Sequence, residues 1–402
     1  MGKDSTAPPD SFGFHAPTRL LFGPGQLGHL HEQAMPGKRA MLVISNGKSM
    51  RANGYLDRTL EQLRLAGVDT VLFDKVAANL TKQVVEEGAS FAREHGAEFI
   101  VALGGGSVMG AAKVMALLAP PLPPDGLWDY STGSTGRHLP LKRPCLPWVA
   151  VTTTAGTGSE LDAIGVVSKL DTHEKIGIGA PDNFARIAVV DPELMLSVPP
   201  KFTAYQGFDA LFHNMEGYIS TKTNLFGQMV QLEAIRSIGA WLPVAVRDGA
   251  NLEARTHVAY ANTMGGYSMM VSSNCSQHSM EHAMSAFHPR LPHGAGLTML
   301  SLAYFGYWAE RHVCDDRLVA MARALGRTDA TRPDELPCAL HDLQVACGVD
   351  DLRMSDYGFA GTHEEALLLA RTARETMASL FMADPAPTTD EDIASIYMKS
   401  FR

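Results

Sequence analysis

Little in this chain is arranged for crosslinking, for a membrane or for nucleic acid. Its five cysteines (Cys145, Cys275, Cys314, Cys338 and Cys347) are scattered and include no CxxC pair. No disulfide framework is expected, and the thiols are expected to stay reduced in a cytoplasmic protein. No stretch approaches the ~18 consecutive apolar residues of a spanning helix. The opening MGKDSTAPPDSFGF lacks the apolar h-region of a signal peptide. A net charge of −9 offers no basic face to phosphate, which argues against nucleic acid or an anionic bilayer as partner. Short basic groups such as Lys142-Arg143 read as solvated surface. There is no internal repeat and no low-complexity tract. A composition of 46% hydrophobic and 19% charged residues is that of a globular protein, and 402 residues are enough for two cores.

The two halves are patterned differently. Short β-branched apolar runs bounded by Gly, Pro or Asp occur at 40–44, 70–73, 99–103, 148–152 and 187–190, with helical patterns between them, for instance 55–66 and 83–95. Such alternation predicts a mostly parallel sheet covered by helices on both faces. A further strand is expected at 165–170, in a hairpin on the sheet edge, and loops at 120–124 and 126–136. After DPELMLSVPP the periodic segments are long and helical: 204–220, 225–241, 252–270, 297–310 and 364–378. The boundary is placed at Ser197. The expected fold is therefore an α/β domain with a mostly parallel sheet over 1–197, followed by an all-α domain over 198–402.

The metal expectation comes from one carboxylate and three imidazoles. Asp209 and His213 in GFDALFH are spaced i, i+4 and would share one helix face. His278 and His293 in HSMEHAMSAFHPRLPHG need a helix end and a loop to fold the second back, and Pro289 and Pro292 stand where that helix must stop. Mixed N/O ligands suit Zn²⁺ or Fe²⁺ rather than Mg²⁺ or Ca²⁺. Cys275, three residues before His278, is read either as a further ligand or as a buried apolar thiol.

Candidate cofactor contacts lie in the first half. The run 99–103 passes through Gly104-Gly105-Gly106-Ser107 into a helical stretch reaching Leu118. Consecutive glycines on a strand-to-helix turn let backbone N–H groups approach a phosphate at a helix N-terminus. The next strand-like run leads into TTTAGTGSE, where Thr153, Thr154, Thr157 and Ser159 could meet ribose or the nicotinamide amide; the alternative is a helix N-cap at Thr157 or Ser159. Lys175 is counted with the cofactor-binding set. After the first strand come Asn46, Gly47 and Lys48.

Taken together, GGGSVMGAAK, TTTAGTGSE, VDPELMLSVPPKFTAYQGFDALFH and HSMEH…LPHGAGL resemble the iron-containing (group III) alcohol dehydrogenase family, from Phe22 to at least Phe305. The resemblance implies that 1–197 is a dinucleotide-binding α/β domain with a Rossmann-like parallel sheet and 198–402 an all-α metal-binding domain, with the metal in the cleft between them. It matches Asp209, His213, His278 and His293 to the family's metal ligands. It implies NAD(H) or NADP(H) as cofactor, a small alcohol or aldehyde as substrate, and a homodimer or higher homo-oligomer. His282, one turn after His278, matches a second histidine near nicotinamide and substrate and is the expected proton path, so His282, Asp209 and His293 form the expected catalytic group. His288 is expected in a loop at the entrance.

Two departures from the family pattern stand out, Gly110 and a His278–His293 spacing one residue longer than in many members, though one branch has the same HPxLPHG loop; Gly47 bears on the choice of cofactor. Gly110 replaces an aspartate in GGGSxxDxxK, which bears on cofactor affinity, whereas Lys113 is retained. Gly47 replaces the acidic residue of NAD-preferring members; with Lys48 and Arg51 nearby, NADP(H) is the expected preference. The competing readings are a glycerol dehydrogenase or dehydroquinate synthase type of enzyme, the latter short of basic residues beyond Arg290, and a catalytically weakened nucleotide-binding or assembly protein.

Overall fold

The computed structural model describes residues 11–120, 126–131, 133, 135–137, 139 and 144–402. Lys142, Arg143 and most of the 120–124 loop lie outside the described residues. Two compact units are present, one spanning His15–Ser197 and the other Val198–Arg402 together with residues 11–14. Residues 11–14 thus group with the helical unit rather than with the 1–197 domain expected. The Phe14 ring sits 4.4 Å from that of Phe226 and 6.1 Å from that of Tyr267, contacts that draw the segment there.

The α/β unit has strands β1 (Arg19–Phe22), β2 (Arg39–Ser45), β3 (Asp69–Val76), β4 (Phe99–Gly104), β5 (Trp148–Thr152), β6 (Ile164–Lys169), β7 (Glu174–Gly179) and β8 (Ile187–Val190). Its helices are α1 (Ser49–Ala52), α2 (Tyr55–Leu65), α3 (Lys82–Glu94) and α4 (Gly106–Leu118). Six strands form one parallel sheet in the order β1-β8-β5-β4-β2-β3. Side chains alternate faces along each strand, and both sets are buried. Leu42, Ile44, Val101, Leu103, Val149 and Val189 pack with Leu56 and Leu63 of α2 and with Leu27 and Leu30. Met41, Val43, Ile100 and Ala102 of the opposite set are also buried. Strands hidden on both sides read as continuous apolar runs, which is why these were legible.

The 165–170 strand is present as β6, but it pairs antiparallel with β7 in a separate two-stranded sheet, not on the edge of the main one. Of the two edge strands, β3 contains the expected run 70–73, whereas β1 was not anticipated. Chain order runs outward from β2 to β3 in one direction and to β4, β5 and β8 in the other, so the C-terminal ends of β2 and β4 flank a topological switch point.

The second unit is helical: α5 (Pro200–Ile219), α6 (Leu225–Arg247), α7 (Leu252–Val271), α8 (Ser276–Phe287), α9 (His293–Arg311), α10 (Asp315–Ala324), α11 (Glu335–Ala346), α12 (His363–Thr376), α13 (Ala378–Phe381) and α14 (Asp390–Ser400). Pro200 opens α5 at its first turn, where a missing N–H is harmless and the fixed φ suits a helix. Among the described residues, no helix is long and apolar enough to cross a membrane.

Candidate metal centre and dinucleotide loops

Helix α5 is buried on nearly every side and carries Asp209 and His213 one turn apart, as the i, i+4 spacing requires. His278 lies in the first turn of α8. His293 is the first residue of α9, following Pro292 at the N-cap, so a helix start and not a loop presents it. The four side chains converge on one oxygen. Asp209 Oδ1 is 3.4 Å from His213 Nδ1, 3.6 Å from His278 Nε2 and 3.6 Å from His293 Nε2. The donor atoms of Asp209, His278 and His293 all lie within 4.8 Å of one another; His213, whose Nδ1 is near Asp209 Oδ1, stands outside that group of three.

Two further buried carboxylates back this set. Glu216, three residues after His213 on α5, accepts from His278 Nδ1 and from the His278 backbone N–H at 3.3 Å. Glu281, between His278 and His282, accepts from His293 Nδ1. Sequence reading missed both, although the spacings Asp209–His213–Glu216 and His278–Glu281–His282 put each on its neighbours' helix face. A carboxylate on the far nitrogen of a ligating histidine fixes the ring and its tautomer.

The residues fit a divalent cation on three counts. Donors bound at about 2.1 Å in a tetrahedral shell stand about 3.4 Å apart, which matches the three separations from Asp209 Oδ1, 3.4–3.6 Å. Asp209 Oδ1 and His278 Nε2 are buried without a hydrogen-bond partner, 3.6 Å being too long for one, and a buried polar atom left so is costly. The charge balance is also uneven. Burial acts to raise the Asp209 pKa, but His213, His293 and His278 outweigh it and hold the carboxyl below the usual range. Burial likewise opposes a charged His278, yet Glu216 and Asp209 carry it up to about 10. Negative charge of this kind attracts a proton or a metal alike. Asp209, His213 and His278 are buried, whereas the His293 side chain is 27% exposed, so the set is open on that side.

The glycines of LPHGAGL make this convergence sterically feasible. A Cβ at Gly294 would collide with the Tyr205 carbonyl of α5, and one at Gly296 would stand 2.7 Å from Glu281 Cγ. His282 is buried with Nδ1 2.8 Å from Met377 Sδ, its ring 5.3 Å from that of His293. Cys275 is the buried thiol: its Sγ lies 3.4 Å from the carbonyls of Glu216 and Ala383, and burial raises its pKa well above the usual value. His288 caps the end of α8 and packs on Phe359, ring centroids 4.0 Å apart.

In the α/β unit, three candidate loops leave the C-terminal ends of adjacent strands β2, β4 and β5. Asn46, Gly47 and Lys48 are exposed after β2. The turn Gly104-Gly105-Gly106 opens α4, and no side chain caps that helix. A Cβ on Gly105 would lie 2.8 Å from Thr154 Cγ2, and one on Gly106 would strike Thr157, so the glycines are demanded by the hydroxyl loop as well as by any phosphate. Two of the expected hydroxyls already have a partner within the protein. Ser107 donates to the Ala78 carbonyl, and Ser159 accepts from Lys113 Nζ at 2.8 Å. Thr153 is buried; Thr154 and Thr157 are half-buried. Thr157 Oγ1 accepts from the Ser159 N–H at 3.2 Å, but a turn and not a helix follows, so neither residue is a helix cap.

Lys113 is fully buried, with Asp162 Oδ1 at 2.9 Å and the Ile164 carbonyl at 3.1 Å completing its contacts. Lys175 lies on β7 opposite Ser168, half-buried on the hairpin. Gly110 is buried against Leu80, Gly165 and Val166, so the missing aspartate bears on packing of α4 against that hairpin.

Comparison with known proteins agrees with this architecture. Residues 17–192 match the family described as iron-containing alcohol dehydrogenase, and residues 203–401 match its C-terminal region. The 1,3-propanediol dehydrogenase of Citrobacter freundii is 34% identical over 291 residues, covering 72% of this chain and 73% of that protein. The NADH-dependent butanol dehydrogenase A of Clostridium acetobutylicum is 30% identical over 312 residues, covering 77% of each chain. A crystal structure of an archaeal halo-thermophilic alcohol dehydrogenase from a Red Sea brine pool superposes with a TM-score of 0.89 at 29% identity, covering 97% of this chain and 99% of that one. The chain belongs to the iron-containing alcohol dehydrogenase family. It is an oxidoreductase of that type, a metal- and nicotinamide-dependent alcohol dehydrogenase acting on small alcohols or the corresponding aldehydes.

Proposed function

We propose that Asp209, His213, His278 and His293 hold one divalent cation, Fe²⁺ or Zn²⁺, and that the loops after β2, β4 and β5 bind the dinucleotide. The observation that carries the metal reading is the convergence of three imidazole nitrogens on Asp209 Oδ1 at 3.4–3.6 Å. On this reading the residues from His15 to Ser197 are the dinucleotide-binding domain, and those from Val198 onward are the metal-binding and catalytic domain. The scattered cysteines support a cytoplasmic location, and the family resemblance supports a homodimer or higher homo-oligomer.

When bound, the cation supplies Lewis acidity at the substrate oxygen and the dinucleotide gives or takes the hydride. The protein's own contribution is positional and electrostatic. Glu216 and Glu281 accept from the Nδ1 atoms of His278 and His293 and leave the Nε2 lone pairs directed at the Asp209 side of the centre. Asp209 keeps its negative charge within reach of three imidazoles. His282 holds and returns the hydroxyl proton at Nε2, its Nδ1 being turned to Met377 Sδ. Gly105 and Gly106 bring no side chain of their own to the start of α4, which supports a phosphate meeting backbone N–H groups there.

For the cofactor, the absence of a carboxylate at 46–48 supports NADP(H). Arg51 is paired with Asp74 at 2.7 Å, which leaves Lys48 as the cation for a 2′-phosphate. The reading is tested by following nicotinamide absorbance with NADH and NADPH across a panel of short alcohols and aldehydes, on metal-loaded and chelator-treated protein. Turnover that requires the metal supports it. Retained nucleotide binding without turnover at full metal load would favour the weakened nucleotide-binding protein instead.

A further inference from the structure

The start of α8 is an unusual place for a helix to begin. Cys275, Ser276, Gln277 and His278 are all buried, so the unpaired N–H groups of the first turn cannot reach water. The N-cap, Cys275, makes no side-chain capping bond. Two carboxylates from elsewhere do this instead. Glu216 Oε2 accepts from the N–H of Cys275 at 2.8 Å and of His278 at 3.3 Å. Asp384 Oδ1, 108 residues away in sequence, accepts from the N–H of Ser276 at 2.9 Å.

Asp384 also joins the other ligand-bearing helices. Its Oδ1 accepts from the Tyr304 hydroxyl of α9 at 3.1 Å, and Ser276 Oγ donates to Tyr304 Oη at 3.3 Å. The adjacent Ala383 carbonyl accepts from the Thr221 N–H, just past the end of α5, at 2.9 Å, and the Cys275 thiol points at the same carbonyl. Residues 383–384 therefore hydrogen-bond to α8, to α9 and to the segment that ends α5. These helices bring His278, His293 and the Asp209–His213 pair.

We propose that Asp384 is a positioning residue for the metal centre, tying the start of α8 to the middle of α9, next to the Ala383 carbonyl that holds the end of α5, so that His278 stays seated on Glu216 and faces Asp209. It touches no ligand itself. The inference rests on the assignment of Asp209, His213, His278 and His293 as ligands.

The test uses Zn²⁺-loaded wild type, Asp384→Ala and Asp384→Asn, challenged with excess chelator while amide exchange at residues 276–278 is followed. The Ala variant should release Zn²⁺ about tenfold faster, in the range seen when an outer partner of a metal ligand is lost, with faster exchange at Ser276. The Asn variant keeps a carbonyl acceptor for Ser276 and Tyr304 and should stay within about threefold of wild type. If the Ala variant does not fold, Tyr304→Phe, which removes one of the two bonds to Oδ1, should show faster release in its place. Unchanged release and exchange in the Ala variant, or in its Phe stand-in, would overturn the proposal while leaving the metal assignment intact. An Asn variant as fast as Ala would overturn it too, because acceptor geometry would then not be what matters. A wild type that retains no Zn²⁺ would remove the metal assignment and the proposal together.

Discussion

Gly294 stands so close to the Tyr205 carbonyl that no side chain fits between α9 and α5. That approach sets the first residue of α9, His293, 3.6 Å from Asp209 on α5. The partner is a backbone oxygen inside a helix, which cannot swing aside as a side chain would.

Gly294→Ala should therefore force α9 away from α5 and weaken the metal site without unfolding the helical unit. The expected cost is about 1–3 kcal/mol of stability, as for other overpacked sites. Metal content after purification should fall well below that of wild type. Elemental analysis together with a denaturation curve checks both parts.

A second pair of glycines allows opposite outcomes from the same chemical change. A Cβ at Gly110 meets nothing closer than 3.6 Å, whereas one at Gly165 would lie 2.5 Å from the Gly110 carbonyl and 2.8 Å from Val114 Cγ2. Gly110→Ala, in the interior of α4, should stabilise by about 0.5–1 kcal/mol through helix propensity. Gly165→Ala should destabilise by about 1–3 kcal/mol. Urea midpoints of the two variants against wild type decide the matter.

Lys48 is exposed after β2, and Arg51 is occupied by Asp74. NADPH should bind more tightly than NADH. Lys48→Ala should weaken NADPH by roughly tenfold, the size of one charge-assisted hydrogen bond, and NADH much less. Dissociation constants from nicotinamide fluorescence give the ratio; a wild type that prefers NADH would contradict the assignment.

Asp384 links stability to pH with a definite sign. Burial, the largest cause, pushes its carboxyl up to about 7, with Glu216 adding to the rise and bonds from Ser276 and Tyr304 opposing it. The native state keeps the proton over a range where the unfolded chain, with an ordinary carboxyl near 3.9, has lost it. Its contribution is full below about pH 4 and is lost as pH rises through about 7, at up to about 1.4 kcal/mol per pH unit. Asp384→Asn removes this dependence. The variant should gain on wild type in melting temperature between pH 5 and 8, and a constant difference across that range would refute the linkage.

Much of the fold was legible because buried parallel strands are uninterrupted apolar runs and the helices of the second unit are long and periodic. The strands that escaped were those without that signature, and the shorter helices α10, α11 and α14 were not named either. Strand β1 is a short edge strand, and β7 carries Gly177 and Gly179 among its six residues. The four ligand candidates could be named because acidic and imidazole side chains at helical spacing are uncommon on buried faces. Glu216 and Glu281 are equally buried, but their role depends on which nitrogen of another helix's histidine they meet, and spacing within one segment does not encode that. Ser107 and Ser159 show the same limit: their hydroxyls have partners within the protein, Ala78 and Lys113, that lie far away in sequence and that spacing does not reveal.

The most direct measurement is the metal content of wild type and His293→Ala after reconstitution with Fe²⁺ or Zn²⁺ and removal of free ion. One divalent ion per wild-type chain, and a loss of most of it in a variant that keeps its far-UV circular dichroism, is the expected result. An equal content in the two proteins would contradict the assignment of His293, and with it the centre built around Asp209.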